Sequence, residues 1–129
     1  MMQNRKDTVN SFRTREQRMA ETAFQCVEKR AAGKGNTEYL SFANSFPTLV
    51  HSCGLVQAVA FAEAKKNSAI LEDIAEVLQK PLDEITNQAR SKPLSCYMLL
   101  SREVLSAAGW LKRYSQALIK ENKGEGNES

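Results

Sequence analysis

Only one histidine, His51, occurs among the 129 residues, which removes His-rich metal sites and any mechanism that passes protons between two imidazoles. Cysteine is scarce as well. Cys26, Cys53 and Cys96 lie 27 and 43 residues apart, an odd count without CxxC pairing, so a disulfide framework or zinc knuckle is not expected and small buried thiols are. No GxxxxGK[ST], GxGxxG or GxSxG stretch occurs, which leaves no phosphate-cradling loop and no nucleophile elbow. No window approaches the ~18 uninterrupted apolar residues of a membrane span. The N-terminus, with Arg5, Lys6, Asp7, Arg13 and Arg15, has no apolar signal core. A cytoplasmic, noncatalytic chain without cofactor, metal or membrane contact is the expectation.

What is present suits one globular core. The chain is 42% hydrophobic and 26% charged, and a domain of this length buries enough surface to fold without metal or disulfide. The fold class expected is all-α, a single-domain bundle of about five or six helices with a long C-terminal helix. Residues 1–12 lack apolar periodicity and 122–129 are polar, so both are expected to be flexible segments around a helical domain at 13–121.

Local signals place the helices. Thr14 with Gln17 forms a capping-box pattern, and Gly33 can close the helix in a left-handed conformation, giving a first helix at about 15–32. On it Ala20, Ala23, Phe24, Val27 and Ala31 share one face, opposite Arg15, Arg18, Thr22, Gln25 and Lys29. Tyr39 to Phe46 continue at helical spacing, but Pro47 predicts an interruption, with Ser45 capping a new turn that Gly54 closes. Residues 55–66 are apolar nearly all round and predict a centrally buried helix, and Ser68 can cap the next. Ile70, Leu71, Ile74, Val77 and Leu78 line one side of that helix, with Glu72, Asp73 and Glu76 wet. After Pro81 a brief helical turn is expected at 83–89. From Ser95 to about Lys120, Tyr97, Leu100, Val104, Ala107, Leu111, Tyr114 and Leu118 step by three and four, a helix of ~39 Å against which the others pack.

Formal charge is only +3, yet it is unevenly spread. Residues 1–36 carry eight bases and four acids, 67–89 one base and five acids, and 90–120 six bases and one acid. Basic segments on either side of an acidic one suit a polyanion on one face, the alternative being ordinary solvated helix faces. On the last helix Arg102, Ser106, Gly109, Arg113, Gln116 and Lys120 fall on one stripe opposite the apolar seam. Small Ser106 and Gly109 between cations would admit a phosphate backbone or another helix.

Other constellations are weaker. Phe24, Phe42, Phe61 and Tyr97 sit on apolar faces, so exposed aromatics for base stacking are not expected and nucleic-acid contact would be with phosphates. His51 and Cys53, two apart on a helix, point to different sides. Glu72, Asp73 and Glu76 lack the loop of a calcium site. A helix-turn-helix forced onto Phe46–Ala60 would present a recognition helix, LVQAVAFAEA, with almost no base-reading side chains.

Two blocks carry a family resemblance. Tyr39-Leu40-Ser41, Phe46-Pro47-Thr48-Leu49-Val50, Gly54-Leu55 and Ala60-Phe61 form the first, and Ser101-Arg102-Glu103 with Trp110-Leu111-Lys112-Arg113 the second. In order and spacing they resemble the small helical subunit of the type III-B CRISPR RAMP-module (Cmr) effector complex, over about residues 15–119. Val56 departs from the small residue often found there, and Met98 stands where many relatives carry a base, so no phosphate contact is carried over to 98. The resemblance implies an all-helical protein without an active site that stacks beside the RAMP backbone, meets the large subunit and neighbouring copies of itself, and helps hold guide RNA and target RNA in antiviral defence. Arg15, Arg18, Lys29, Arg102, Arg113 and Lys120 are the candidate phosphate contacts, with Lys112 flanking. The alternative is a helical protein-protein adaptor without RNA contact, its basic stripes meeting acidic faces such as that near Glu72 on a neighbouring copy.

Overall fold

A computed structural model describes residues 14–65 and 68–119, and the expectations for 1–12, for 122–129 and for Lys120 lie outside them. Six helices are present among the described residues: α1 (Arg15–Ala32), α2 (Asn36–Cys53), α3 (Leu55–Ala64), α4 (Ser68–Leu78), α5 (Leu82–Ser91) and α6 (Leu94–Leu118). The N-terminal cap of α1 forms as the residues require. The Gln17 amide donates to Thr14 Oγ1 at 3.0 Å, and the Thr14 amide donates to Gln17 Oε1 at 2.8 Å.

The long C-terminal helix is the spine, touching α1, α2, α4 and α5. Its Leu100, Val104, Ala107 and Leu111 are buried as the seam requires, while Tyr97, Tyr114 and Leu118 are half-buried at its margins. Arg15 pairs with Glu103 and Phe24 packs on Tyr114, so α1 runs alongside α6 in the same sense. Gln116 meets Asn44, and Tyr97 meets Val56 just beyond the end of α2, so α2 runs antiparallel to α6.

Several local expectations are corrected. Pro47 does not interrupt α2, which is continuous over 18 residues. The proline withholds one donor from the Ala43 carbonyl, but Phe42, Ala43, Phe46 and Val50 share one buried face on both sides of it, and that packing holds the rod together. Ser45 caps nothing; its hydroxyl donates to the Phe42 carbonyl. Gly33 caps α1 in an extended conformation, and the left-handed residue of this turn is Gly35, with φ of 76°. The α3 helix is not central. Only Leu55, Ala58, Val59 and Ala62 are buried, because α6 already occupies the middle of the bundle and α3 packs from outside against α2, α4 and α5. Cys53 and Cys96 are exposed, leaving Cys26 as the one buried thiol.

Asp73 is the largest departure. Expected on a wet face, it is only 6% exposed. Arg30 donates through Nε to Asp73 Oδ2 and through Nη2 to Oδ1, both at 3.0 Å, and Tyr39 Oη donates to Oδ2 at 2.6 Å. One carboxylate thereby ties α1, α2 and α4 together.

Candidate nucleic-acid interface

The α6 stripe emerges as the heptad-like spacing predicts. Burial of Leu100, Val104, Ala107 and Leu111 turns the opposite side of the helix to solvent, where Arg102, Arg113 and Gln116 are exposed and Ser106 and Gly109 half-buried. A Cβ built at Gly109 meets nothing within 4 Å, so the space above this glycine is open. The Arg113 guanidinium lies 5.1 Å from the centroid of the Trp110 ring, and Trp110 Nε1 donates to Glu16 Oε1 at 2.7 Å. Gln116 Nε2 donates to Asn44 Oδ1 at 2.9 Å. Lys112 sits half-buried on the flank.

Electrostatics favour an anion here. The only acid on α6, Glu103, is taken by Arg15 at 3.4 Å and Lys80 at 3.3 Å. Among the described residues Arg102, Lys112 and Arg113 have no acidic group within 4 Å. None of the three is held in a direct ion pair, so their positive potential is offset only at longer range, by Glu103 and by Glu16 at the Trp110 ring.

The α1 cations are arranged differently. Arg15, Arg18, Thr22 and Gln25 form one wall of a cleft of about 520 Å³ whose other wall is Val77, Leu78 and Gln79. Lys29 lines the neighbouring hollow with Glu72, Asp73 and Glu76. The structure thus leaves Arg102, Lys112 and Arg113 along one helix and sets the α1 cations apart: Arg15 is paired with Glu103 of α6, Arg18 lines the cleft toward the end of α4, and Lys29 faces the acids of α4.

Sequence reasoning missed an aromatic edge beside the α6 stripe. Phe24 and Phe61 are exposed, contrary to expectation, because α1 and α3 are peripheral helices. Phe24 packs edge-on against Tyr114 at 5.4 Å, and Tyr114 stacks on Trp110 at 5.9 Å. The signal was available in the spacing of Trp110, Arg113 and Tyr114, one turn of one helix.

The perturbed groups all belong to the Asp73 network rather than to this surface. Burial first, then Asp73 and Glu76, pushes the Cys26 thiol up to about 12. Burial and the Asp73 carboxylate hold the Tyr39 phenol protonated far above its usual range, and the hydrogen bond to Asp73 raises Arg30 further. Among the described residues no group of three or more His, Cys, Asp or Glu is placed to hold a metal, and no helix is long and apolar enough to cross a membrane.

Comparison with known proteins agrees with this architecture. The family model for CRISPR-associated protein (Cas_Cmr5) matches residues 15–118. The CRISPR system Cmr subunit Cmr5 of Thermus thermophilus is 42% identical over 114 residues, spanning 85% of this chain and 100% of that one. The crystal structure of a CRISPR-associated Cmr5 family protein from the same organism superposes with a TM-score of 0.79 at 42% identity, covering 84% of this chain and 100% of that one. With six helices, a long C-terminal spine and a match from the first described helix to the last, the chain belongs to the Cmr5 family, a subunit family of the CRISPR Cmr system.

Proposed function

We propose that this chain is a noncatalytic small subunit of a type III-B Cmr ribonucleoprotein in the cytoplasm, stacking with copies of itself beside the RAMP backbone, meeting the large subunit, and holding guide and target RNA by phosphate contacts. The supporting observation is the α6 stripe, where Arg102 and Arg113 stand exposed with no acidic group of the described residues within 4 Å, separated by small Ser106 and open Gly109. Lys112 flanks them, and Lys120 extends the stripe by sequence. Cations spaced along a rod bind a backbone without reading bases. Arg15, Arg18 and Lys29 form a second, weaker contact surface.

The test is binding of target RNA to complexes assembled with Arg102→Glu and Arg113→Glu. Loss of two phosphate contacts lowers the magnitude of the log-log salt slope by about 1.4 for a single strand. Unchanged affinity and slope would remove the RNA role. A second reading, a protein-protein adaptor without RNA contact, is favoured by the exposed acids Glu72 and Glu76 of α4, against which the basic stripe of a neighbouring copy can dock. An adaptor stays in the complex after ribonuclease treatment, whereas an RNA-held subunit leaves it.

A further inference from the structure

Six large apolar side chains are exposed among the described residues, and four of them, Val56, Leu94, Met98 and Leu99, belong to the first two turns of α3 and α6. Leu94 is 72%, Leu99 57% and Met98 50% exposed. The two helix starts are adjacent, because the Val56 amide donates to Tyr97 Oη at 3.3 Å. No formal charge occurs from 93 to 101 or from 52 to 62, in a chain that is 26% charged. Leucines left in water forgo the burial that drives folding and association, and charge depletion over an exposed apolar surface is the composition of an interface core.

The rim of this surface is cationic. Arg90 and Lys92 precede Leu94, Arg102 follows Leu99, and the nearby acid Glu103 is already held by Arg15 and Lys80. These charges argue against the same patch of a second copy as the occupant. The same patch on two copies would gather Arg90, Lys92 and Arg102 twice around one seam. A head-to-tail contact finds no second charge-free apolar patch among the described residues: the aromatic edge of Phe24, Tyr114 and Trp110 carries Arg113, and Phe61 carries Lys65 over its ring at 5.5 Å.

We propose that the α3–α6 end is the docking surface for a different protein subunit of the assembly, which presents an apolar segment edged with carboxylates. The inference rests on the chain being one subunit of a larger complex, and it assigns this end to protein and the α6 stripe beyond it to RNA. Leu94, Met98, Leu99 and Val56 bury against the partner's apolar residues, and Arg90 and Lys92 meet its acids at the rim.

Cys96 supplies the probe, being exposed between Leu94 and Met98. In a Cys53→Ser background, benzophenone maleimide labels Cys96 and spares buried Cys26. Irradiation of the reconstituted Cmr complex is expected to cross-link Cys96 to an Asp- or Glu-flanked segment of another protein subunit. Cross-links confined to a second copy, to residues 1–13 of the same chain or to RNA overturn the proposal. Because the label itself occupies the patch, a second measurement uses the variant Met98→Glu with Leu99→Glu. It should keep the helical spectrum and thermal midpoint of the isolated chain, since both positions are exposed, while its incorporation into the complex falls at least about tenfold, the equivalent of 1.4 kcal/mol. Undiminished incorporation overturns the proposal. The Arg113→Glu variant separates the two assignments: it should lose RNA affinity and still incorporate, so failure of the RNA reading leaves the docking result standing and the converse also holds.

Discussion

Asp73 accepts three hydrogen bonds from two other helices and so joins α1, α2 and α4 through one carboxylate. Asp73→Ala would leave the Tyr39 hydroxyl without its partner and the Arg30 guanidinium with only the Ala69 carbonyl and Glu72 Oε1, both at 3.4 Å. Breaking a buried ion pair in this way destabilises by about 3–5 kcal/mol, and the lower end is expected because Arg30 keeps some access to water; urea unfolding measures it. Cys26 gives a second residue-scale prediction. Its thiol is held at about 12 against an ordinary 9.0, so it stays protonated in the folded state where the unfolded chain ionises. A raised value in the folded state stabilises fully below pH 9 and is lost as pH climbs to about 12, so unfolding free energy should fall across that window. Cys26→Ala should flatten the fall without abolishing it, because buried Tyr39 contributes in the same direction. At pH 8 a thiol reagent should modify two of the three cysteines in the folded protein and all three in denaturant.

Helix positions were legible in the sequence because caps and spacing are local: Thr14 with Gln17, Gly54, and the three-and-four seam of α6 each fall where the residues placed them. What was not legible depended on neighbours. Pro47 reads as a break in one dimension, yet it sits in a rod whose apolar face is clamped on both sides. Pro47→Ala should therefore stabilise the protein by about 2 kcal/mol, the interior-helix penalty of about 3 less the packing of the half-buried ring; a restart at this point would instead leave the melting temperature unchanged or lower. The apolar α3 reads as central, but centrality was already taken by α6, and the surplus apolar surface ended outside. Asp73 lies three residues after Ile70 and four before Val77, on the buried face in plain view; composition groups it with its acidic neighbours, whereas helical angle groups it with the core. On α6, Gly109 faces open space, so Gly109→Ala should raise stability by about 1 kcal/mol. If a phosphate backbone lies in that gap, the same methyl group should weaken RNA binding, a gain in fold and loss in function that thermal melting and filter binding measure together.

At the scale of the whole molecule, a net charge of +3 conceals two cationic surfaces in different electrostatic settings. The α6 surface has its one acid drawn away to Arg15 and Lys80, whereas the α1 surface looks across a narrow cleft at α4, with Lys29 beside Glu72 and Glu76. Helical spacing put Arg102 and Arg113 on one exposed side of α6, but the direction in which each rod turns its cations depends on how α1 docks between α4 and α6, which no local spacing encodes. Binding to a polyanion follows the uncompensated charges, since a cation already facing carboxylates releases fewer counterions from the strand. Reversing Arg102 and Arg113 to Glu should therefore weaken RNA binding by the assembled complex and reduce the salt slope by about 1.4. Reversing Arg18 and Lys29 should reduce the slope by less than half of that. Equal effects from the two pairs would mean that RNA follows the cleft between α1 and α4 as closely as it follows α6, and would return the α1 cations to the primary contact surface.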